Sequence, residues 1–140
     1  MYITAEESLE QVKIRWERLN QNSIDLQIFA ESNLSLIIEE IKRVNPSFAI
    51  IDSIQAIYNH EMESSPGSVS QVRTCSSEIQ NLAKENKIAL LIIGHVTKDG
   101  ALAGPKTLEH LVDVVLNFEG DNIASHRLLR SVKNLSLIHI

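Results

Sequence analysis

The sequence has little of several residue types, and each scarcity excludes a class of protein. Its single cysteine, Cys75, excludes an intrachain disulfide and a cysteine-rich metal site. The formal net charge is −5, so the chain as a whole does not attract polyanions. No apolar run approaches the roughly 20 residues that span a bilayer, and Glu6 and Glu7 stand where a secretory leader needs basic and then apolar residues. We therefore expect a cytoplasmic protein without a membrane partner.

Apolar residues are plentiful enough for a packed core. They make up 44% of the 140 residues, which predicts one folded domain. Two apolar runs, SFAIIDS at 47–53 and IALLIIGH at 88–95, predict strands buried on both faces, as in a parallel sheet covered by helices. Because helical patterns alternate with these strands, we expect βαβ units and an α/β fold with a mainly parallel sheet.

Hydrophobic spacing and turn residues predict the remaining elements. We expect a strand at 1–4, a helix at 5–19 capped by Thr4, a short strand at 24–30, a helix from Asn33 to Pro46 and another at about 69–87. A helical turn at 108–111 and strands at 112–119 and 126–132 follow. The residues predicted to face inward on the three helices are Leu9, Val12, Trp16 and Leu19, then Leu34, Ile37, Ile38 and Ile41, then Val69, Val72, Ile79, Leu82 and Ala83.

Polar residues end the two buried strands. Asp52 and Ser53 follow the first strand, and His95 ends the second. Ligands of parallel sheets sit at the carboxyl ends of strands. An acidic residue at such an end is the Walker-B arrangement, which holds Mg²⁺ directly or through water. From this pattern alone, an aspartate that only caps the following turn is an equal alternative.

Several long blocks in collinear order resemble one family. They read YITAEES at 2–8, IDSIQ at 51–55, SPGSVSQVR at 65–73, GHVTKDGALAGP at 94–105, LEHLVD at 108–113 and VKN at 132–134. This pattern resembles the RadA (Sms) family of bacterial RecA-like ATPases over about residues 1–134. The resemblance implies a three-layer RecA-like P-loop NTPase core that uses ATP and Mg²⁺. The block at 65–73 argues against two other RecA-family branches, replicative helicases and circadian-clock proteins.

The resemblance also implies roles for single residues. Asp52 and Ser53 would bind the cofactor, with Asp52 holding Mg²⁺ through water. Glu6 would polarise the attacking water, and His95 would sense the γ-phosphate. Lys133 would reach the nucleotide of a neighbouring subunit, as an arginine finger does. Without the resemblance, the residues alone favour a helix-terminal glutamate, a strand-end histidine bonded to backbone and a solvated lysine.

A polar loop after the second buried strand matches the family's mobile DNA-contacting loop. Lysines there can neutralise phosphates, and glycines let backbone approach closely. The residues that the resemblance assigns to DNA are Thr97, Lys98, Gly100, Gly104 and Lys106. The alternative from composition alone is an ordinary solvated surface loop.

The chain departs from the family in three respects. It contains no G-x-x-x-x-G-K-[ST] phosphate loop and no strand leading into one, so we expect weak or absent nucleotide binding. The family's zinc module and protease-like domain are absent, and residues 135–140 do not continue the family motif and are expected to be foreign sequence. Since the missing strand lies inside RecA-like sheets, we expect two strands left without a shared neighbour and a chain of low stability.

These observations predict a fragment of an ATP-dependent DNA repair and recombination ATPase. Intact, it would act on single-stranded DNA and branched intermediates, promote branch migration, work with a recombinase filament and assemble as a homo-oligomeric ring. The chain alone is expected to be inactive. The alternative is a catalytically inactive RecA-like binding module, which the missing phosphate loop favours.

Overall fold

A computed structural model describes residues 1–19, 26–95, 108–120 and 126–135. In chain order the elements are β1 (Tyr2–Thr4), α1 (Leu9–Arg18), β2 (Ile28–Ala30), α2 (Leu34–Val44), β3 (Phe48–Asp52), a 3₁₀ turn (Ile54–Ala56), α3 (Val69–Glu85), β4 (Ala89–Ile92), β5 (Val114–Gly120) and β6 (Arg127–Asn134). Strands and helices alternate through β4, as the sequence predicts.

The first four strands form one parallel sheet in the order β2-β1-β3-β4. The chain moves from β1 to β2 in one direction and from β2 to β3 and β4 in the other. Right-handed crossovers in opposite directions place their helices on opposite faces of the sheet. Helix α1 therefore lies on one face, and α2 and α3 lie on the other, which agrees with the predicted α/β architecture.

The hydrophobic core lies between the sheet and helices α2 and α3. Sheet residues Ile3, Ala49 and Ile51 are fully buried there. The helical members of the same cluster, all predicted to face inward, are Leu34, Ile37, Ile41, Val72, Ile79, Leu82 and Ala83. Cys75 joins this core, and burial raises the pKa of its thiol to about 11. The cysteine therefore remains a neutral, unreactive core residue near pH 7.

Side-chain caps define where the helices begin. Asn33 accepts a hydrogen bond from Ser35 N at 3.0 Å and caps α2 where predicted. The predicted start of α1 is wrong, because the helix begins at Leu9 and is capped by Ser8. Ser8 and Gln11 form a reciprocal capping box. Thr4 instead bonds the main chain of Glu7 at 3.0 Å, so the intervening residues stay outside the helix.

Several residues predicted to be buried are exposed. On α1, only Val12 is buried, whereas 46% of Leu9 is exposed and Leu19 is exposed as well. Val69 is also exposed, at the first turn of α3. These three exposed residues lie at helix ends.

The expectation that β3 and β4 are buried on both faces is also wrong. Phe48 of β3 is 45% exposed and Leu91 of β4 is 42% exposed. Both side chains point away from α2 and α3, because strand residues alternate between faces and their neighbours, the buried Ala49 and the partly buried Leu90, pack in the core. The helix on that face, α1, packs on β2, so Phe48 and Leu91 stay open to solvent and the apolar runs are not buried equally on both faces.

The expectation of two strands left without a shared neighbour does not apply to β3 and β4. Strands β3 and β4 pair directly in parallel, from Phe48↔Ala89 to Ile51↔Ile92. The backbone groups that face each other across these two strands are therefore bonded. The parallel sheet ends at β4 and β5 lies in a separate sheet, so the expectations of a missing neighbour and of low stability stay predictions.

The last two strands form a separate antiparallel hairpin. β5 pairs with β6 from Val114↔Asn134 to Gly120↔Arg127, with an irregularity in register after Val115. Both strands were predicted, each beginning one or two residues earlier in the chain. In the part of the chain that the structure describes, no helix is both long and apolar enough to cross a membrane.

Candidate functional site

Strand order reverses between β1 and β3: the chain adds β2 on one side of β1 and then β3 and β4 on the other. In open α/β sheets, ligands bind outside the carboxyl ends of strands at such a point. The two strand ends are joined here, since the main-chain N–H of Ala5 donates to the carbonyl oxygen of Asp52 at 2.7 Å. Asp52 and Ser53 therefore lie where this topology favours a ligand, and the peptide bond between them is cis.

The carboxylate of Asp52 is held by Tyr2. The tyrosine hydroxyl donates a hydrogen bond to Oδ2 of Asp52. Thr4 pairs with Asp52 in the sheet, so Tyr2 lies two residues back on the same face and reaches the carboxylate diagonally. The pKa of Tyr2 is raised mainly by burial and next by this hydrogen bond. The phenol therefore stays a neutral donor that orients the carboxylate.

Glu6 lies just beyond β1 and contacts groups at the ends of two other strands. The fully buried Ser53 donates a hydrogen bond from its hydroxyl to Oε1 of Glu6. The second oxygen, Oε2, lies 3.8 Å from Nε2 of His95. Solvent reaches 46% of the Glu6 side chain and 60% of the His95 side chain. This carboxylate is thus positioned by the protein yet open to water, as a general base must be.

The neighbouring Glu7 takes part in a different set of contacts. Its Oε1 lies 2.6 Å from Nη2 of Arg15 on α1. Its Oε2 is buried and has no hydrogen-bond partner among the described residues. Glu7 therefore ties its segment to α1, and the two adjacent glutamates have separate roles.

A cleft of about 300 Å³ opens beside the segment after β1. It is lined by Thr4, Ala5, Glu6, Glu7, Ser8, Ala30, Glu31 and Ser32. Of the site residues Glu6, Asp52, Ser53 and His95, only Glu6 lines this cleft, so the cleft borders the site and does not contain it. With three carboxylates in its wall, the cleft would repel a polyphosphate.

The residues present suit a hydrated magnesium ion. Mg²⁺ prefers oxygen ligands and is usually held by one or two carboxylates, several waters and substrate phosphates. Asp52 offers such a carboxylate, with the Ser53 hydroxyl next to it in sequence. No cluster of three or more His, Cys, Asp or Glu side chains that could hold a metal occurs within the described ranges. The donor set therefore fits an ion shared with a phosphate and not an all-protein cage.

Strand β4 brings His95 to this edge of the sheet, where a side chain from the 3₁₀ turn meets it. Nε2 of Gln55 donates to the carbonyl oxygen of His95 at 2.9 Å. The residues predicted to contact DNA follow directly in the sequence but lie outside the described residues: Thr97, Lys98, Gly100, Gly104 and Lys106.

Lys133 is placed on β6, where its ammonium group is bound by main chain. Nζ donates to the carbonyl oxygens of Glu109 and Val112, at 2.7 Å each. These bonds tie the hairpin to the turn at 108–112. No contact between described residues joins Lys133 to Asp52 or Glu6, so the chain does not itself bring this lysine to the other predicted site residues.

Sequence reasoning missed two residues of this group, Tyr2 and Gln55. Tyr2 lies in a short strand, and only the register of β1 against β3 puts its hydroxyl near Asp52. Gln55 is two residues from Ser53, inside a block that was noted only for its resemblance. Each forms a hydrogen bond to a residue 50 or 40 positions away in the sequence, which no local pattern reveals.

Comparisons with known proteins give close relatives by sequence. The chain is 50% identical over 134 residues to DNA repair protein RadA of Listeria monocytogenes and 48% identical over 134 residues to that of Bacillus subtilis. It is 54% identical over 136 residues to that of Rickettsia conorii. Each match covers 96% of this chain but only 29–31% of the relative. No family model matches the chain.

A solved structure shows the same fold. A KaiC-like protein of Pyrococcus horikoshii superimposes with a TM-score of 0.60, covering 95% of this chain and 63% of that protein. The sequences are 16% identical, so this likeness concerns the fold alone. The predicted resemblance and the predicted RecA-like α/β fold class are both confirmed.

Proposed function

We propose, on the premise that this chain corresponds to a segment of the RadA family of DNA repair proteins, that it supplies the Walker-B side of an ATP-hydrolysing site. One observation carries this proposal: Glu6 contacts both Ser53 and His95 at the topological switch point, and Asp52 directly precedes Ser53. A carboxylate for a metal ion and a solvent-open carboxylate for water are the groups that such a site needs.

Each residue has a distinct role in this proposal. When bound, ATP would supply the phosphoryl group and Mg²⁺ would neutralise part of the charge on its phosphates. Asp52, oriented by Tyr2, holds the metal through water. Glu6, oriented by Ser53, accepts a proton from the attacking water. His95 lies beside Glu6 and can donate a hydrogen bond to a terminal phosphate. Lys133 reaches the nucleotide of a neighbouring subunit in an oligomer.

The proposed cellular role is taken from the relatives, which are DNA repair proteins. For the intact protein we propose a DNA-dependent ATPase of the cytoplasm that acts on single-stranded DNA and branched recombination intermediates. The segment containing Lys98 and Lys106 contacts the DNA, and a homo-oligomeric ring working beside a recombinase filament is the active assembly. Since these 140 residues contain no phosphate loop, the chain alone should bind nucleotide weakly and not hydrolyse it.

A non-hydrolysing module that binds DNA or protein partners is the second candidate. The absence of G-x-x-x-x-G-K-[ST] from the sequence favours it. The acidic wall of the cleft agrees with it, because that surface offers no site for phosphates.

ATP turnover in a chimera separates the two candidates. This chain replaces the matching 134 residues of Bacillus subtilis RadA, and turnover is measured with and without single-stranded DNA. We expect Glu6→Gln to lower kcat by about 100-fold or more, because a general base contributes about 10²–10⁴-fold. Asp52→Ala should also lower kcat strongly, because it removes the carboxylate proposed to hold the metal. Glu7→Gln is the matched control, since Glu7 binds Arg15, and kcat should change by less than about twofold.

Two outcomes would count against hydrolysis at this site. A folded chimera without turnover would favour the non-hydrolysing module. Turnover that is unchanged in both Asp52→Ala and Glu6→Gln would show that these carboxylates do not carry the reaction.

A further inference from the structure

The 3₁₀ turn after β3 holds both members of the Glu6–His95 pair. Ser53, the residue just before the turn, donates a hydrogen bond to Oε1 of Glu6. Two residues later, Gln55 donates from Nε2 to the carbonyl oxygen of His95. The turn itself is anchored, because Ile54 and Ile57 are fully buried in the core. One rigid turn therefore fixes the carboxylate from one side and the histidine backbone from the other.

The bond from Gln55 is the main attachment of the histidine backbone. Strand β4 stays bonded to β3 through Ile93, whose N–H donates to the carbonyl of Ile51 at 2.9 Å. Two residues later, no hydrogen bond other than that from Gln55 holds the main chain of His95 within the part of the chain that is described. Releasing Gln55 would therefore free the strand end at the residue that faces Glu6.

The orientation of the Gln55 amide is fixed by chemistry. A carbonyl oxygen only accepts hydrogen bonds, so the NH₂ group must face His95. The other amide atom, Oε1, is buried and has no hydrogen-bond partner among the described residues. A Cβ added at Gly94 would lie 3.5 Å from Nε2 and 3.7 Å from Oε1, so the exit of β4 packs directly on this amide. An unpaired buried acceptor is costly, so the amide of Gln55 stabilises this turn through its donor, the NH₂ group that bonds His95.

We infer that Gln55 is a positioning residue, which holds the end of β4 so that the imidazole of His95 stays beside the carboxylate of Glu6. This inference rests on the proposed function, because it assigns Gln55 a part in the same ATPase site. Gln55 does not touch the reacting groups itself. It acts through His95, and the spacing it maintains is the 3.8 Å between Nε2 and Oε2 of Glu6.

A double-mutant cycle in the chimera tests this role. Gln55→Met keeps the length of the side chain and removes the donor. We expect kcat to fall about tenfold or more, because a misplacement of about 1 Å can cost about 100-fold, while KM for ATP stays within about twofold. If Gln55 acts through His95, the double variant Gln55→Met/His95→Ala will be no slower than His95→Ala alone.

A second glutamine provides the matched control. Gln80 on α3 also donates from Nε2 to a main-chain carbonyl, that of Leu111. Gln80→Met therefore loses the same kind of bond at a different place. Its effect on kcat should multiply with that of His95→Ala, as a general structural effect does. If the effects of Gln55→Met and His95→Ala on kcat also multiply in the double variant, the inference is overturned. The proposed function would still stand if the unsubstituted chimera hydrolyses ATP.

A measurement on the 140-residue chain tests the geometry without turnover. We expect a nuclear Overhauser effect between the imidazole protons of His95 and the side chain of Glu6, present in the unsubstituted chain and in Gln80→Met. It should be lost in Gln55→Met and in Gln55→Glu, which keeps the shape but has no N–H to donate. If the effect persists in both Gln55 variants, something other than Gln55 holds the pair together and the inference fails.

Discussion

Ser53 and Glu6 lie 47 positions apart in the sequence, yet the serine hydroxyl donates a hydrogen bond to the glutamate carboxylate at the edge of the sheet. The serine is fully buried and nearly half of the glutamate side chain is open to water. The bond therefore joins the packed core to the solvent-facing part of the candidate site. Its loss should affect both stability and catalysis.

The first prediction compares two buried serines. Ser53→Ala should lower the free energy of unfolding by about 1 kcal/mol, because it removes a hydrogen bond to a partly solvated carboxylate. Ser76→Ala is the control, since Oγ of Ser76 is buried without a partner among the described residues. That substitution should be neutral or stabilise by up to about 0.5 kcal/mol, because alanine favours a helix. Urea unfolding of the chain measures both, and equal losses in the two variants would contradict the assigned bond.

The second prediction concerns alkaline pH and Tyr2. Burial and the bond to Asp52 raise its pKa above the ordinary value of 10.0 for tyrosine. Above that value the unfolded chain loses the phenolic proton while the folded chain keeps it, so stability falls as pH rises. This contribution is complete below about pH 10 and is lost between there and the raised pKa of the folded state.

Tyr2→Phe isolates this contribution because phenylalanine cannot ionise. The variant should be less stable than the original chain at pH 8, and the difference should shrink as the pH passes from 10 to 11. Urea unfolding at a series of pH values measures the two curves. Parallel curves over this range would show that Tyr2 is not protected from ionisation in the fold.

The third prediction concerns the attachment of the hairpin. Lys133→Met removes two hydrogen bonds from a charged group to the carbonyls of Glu109 and Val112. We expect the free energy of unfolding to fall by about 1–3 kcal/mol. Arg130→Met on the same strand is the control, because no ion pair of Arg130 occurs among the described residues, and its effect should stay within about 0.5 kcal/mol.

The proposed finger role of Lys133 requires a separate readout. Chimeric Lys133→Met and Glu6→Gln proteins are each expected to be inactive. When they are mixed, some subunit interfaces combine an intact lysine with an intact glutamate, and turnover should return. If mixtures stay inactive although subunits exchange, Lys133 acts within its own chain, in the structural role that its two carbonyl contacts describe.

The fourth prediction concerns DNA binding by the segment after His95. In the chimera, Lys98→Ala should lower the salt dependence of single-stranded DNA binding by about 0.7 in the slope of log K against log salt, which corresponds to one phosphate contact. Lys84→Ala is the control, because this exposed lysine lies in the last turn of α3. An unaltered slope for Lys98→Ala would count against this segment as a DNA contact.

Part of the site could be predicted because its residues end strands. Asp52, Ser53 and His95 follow apolar runs, and the carboxyl ends of parallel strands meet at one edge of a sheet. The helix start at Ser8 was missed, because Thr4 with Glu7 and Ser8 with Gln11 offer the same capping signal. The tertiary bond from Ala5 to the carbonyl of Asp52 keeps the first pair out of the helix.

The sequence by itself determined which segments form strands and helices, because hydrophobic periodicity and capping act between residues a few positions apart. It also determined the resemblance to one family, through long blocks in collinear order. Only the tertiary structure decided that β3 pairs with β4, that the last hairpin forms its own sheet, and that Ser53 and Gln55 hold Glu6 and His95. The pairing of β3 with β4 and the bonds from Ser53 and Gln55 join residues 40 or more positions apart, and they depend on strand order and register, which local patterns do not encode.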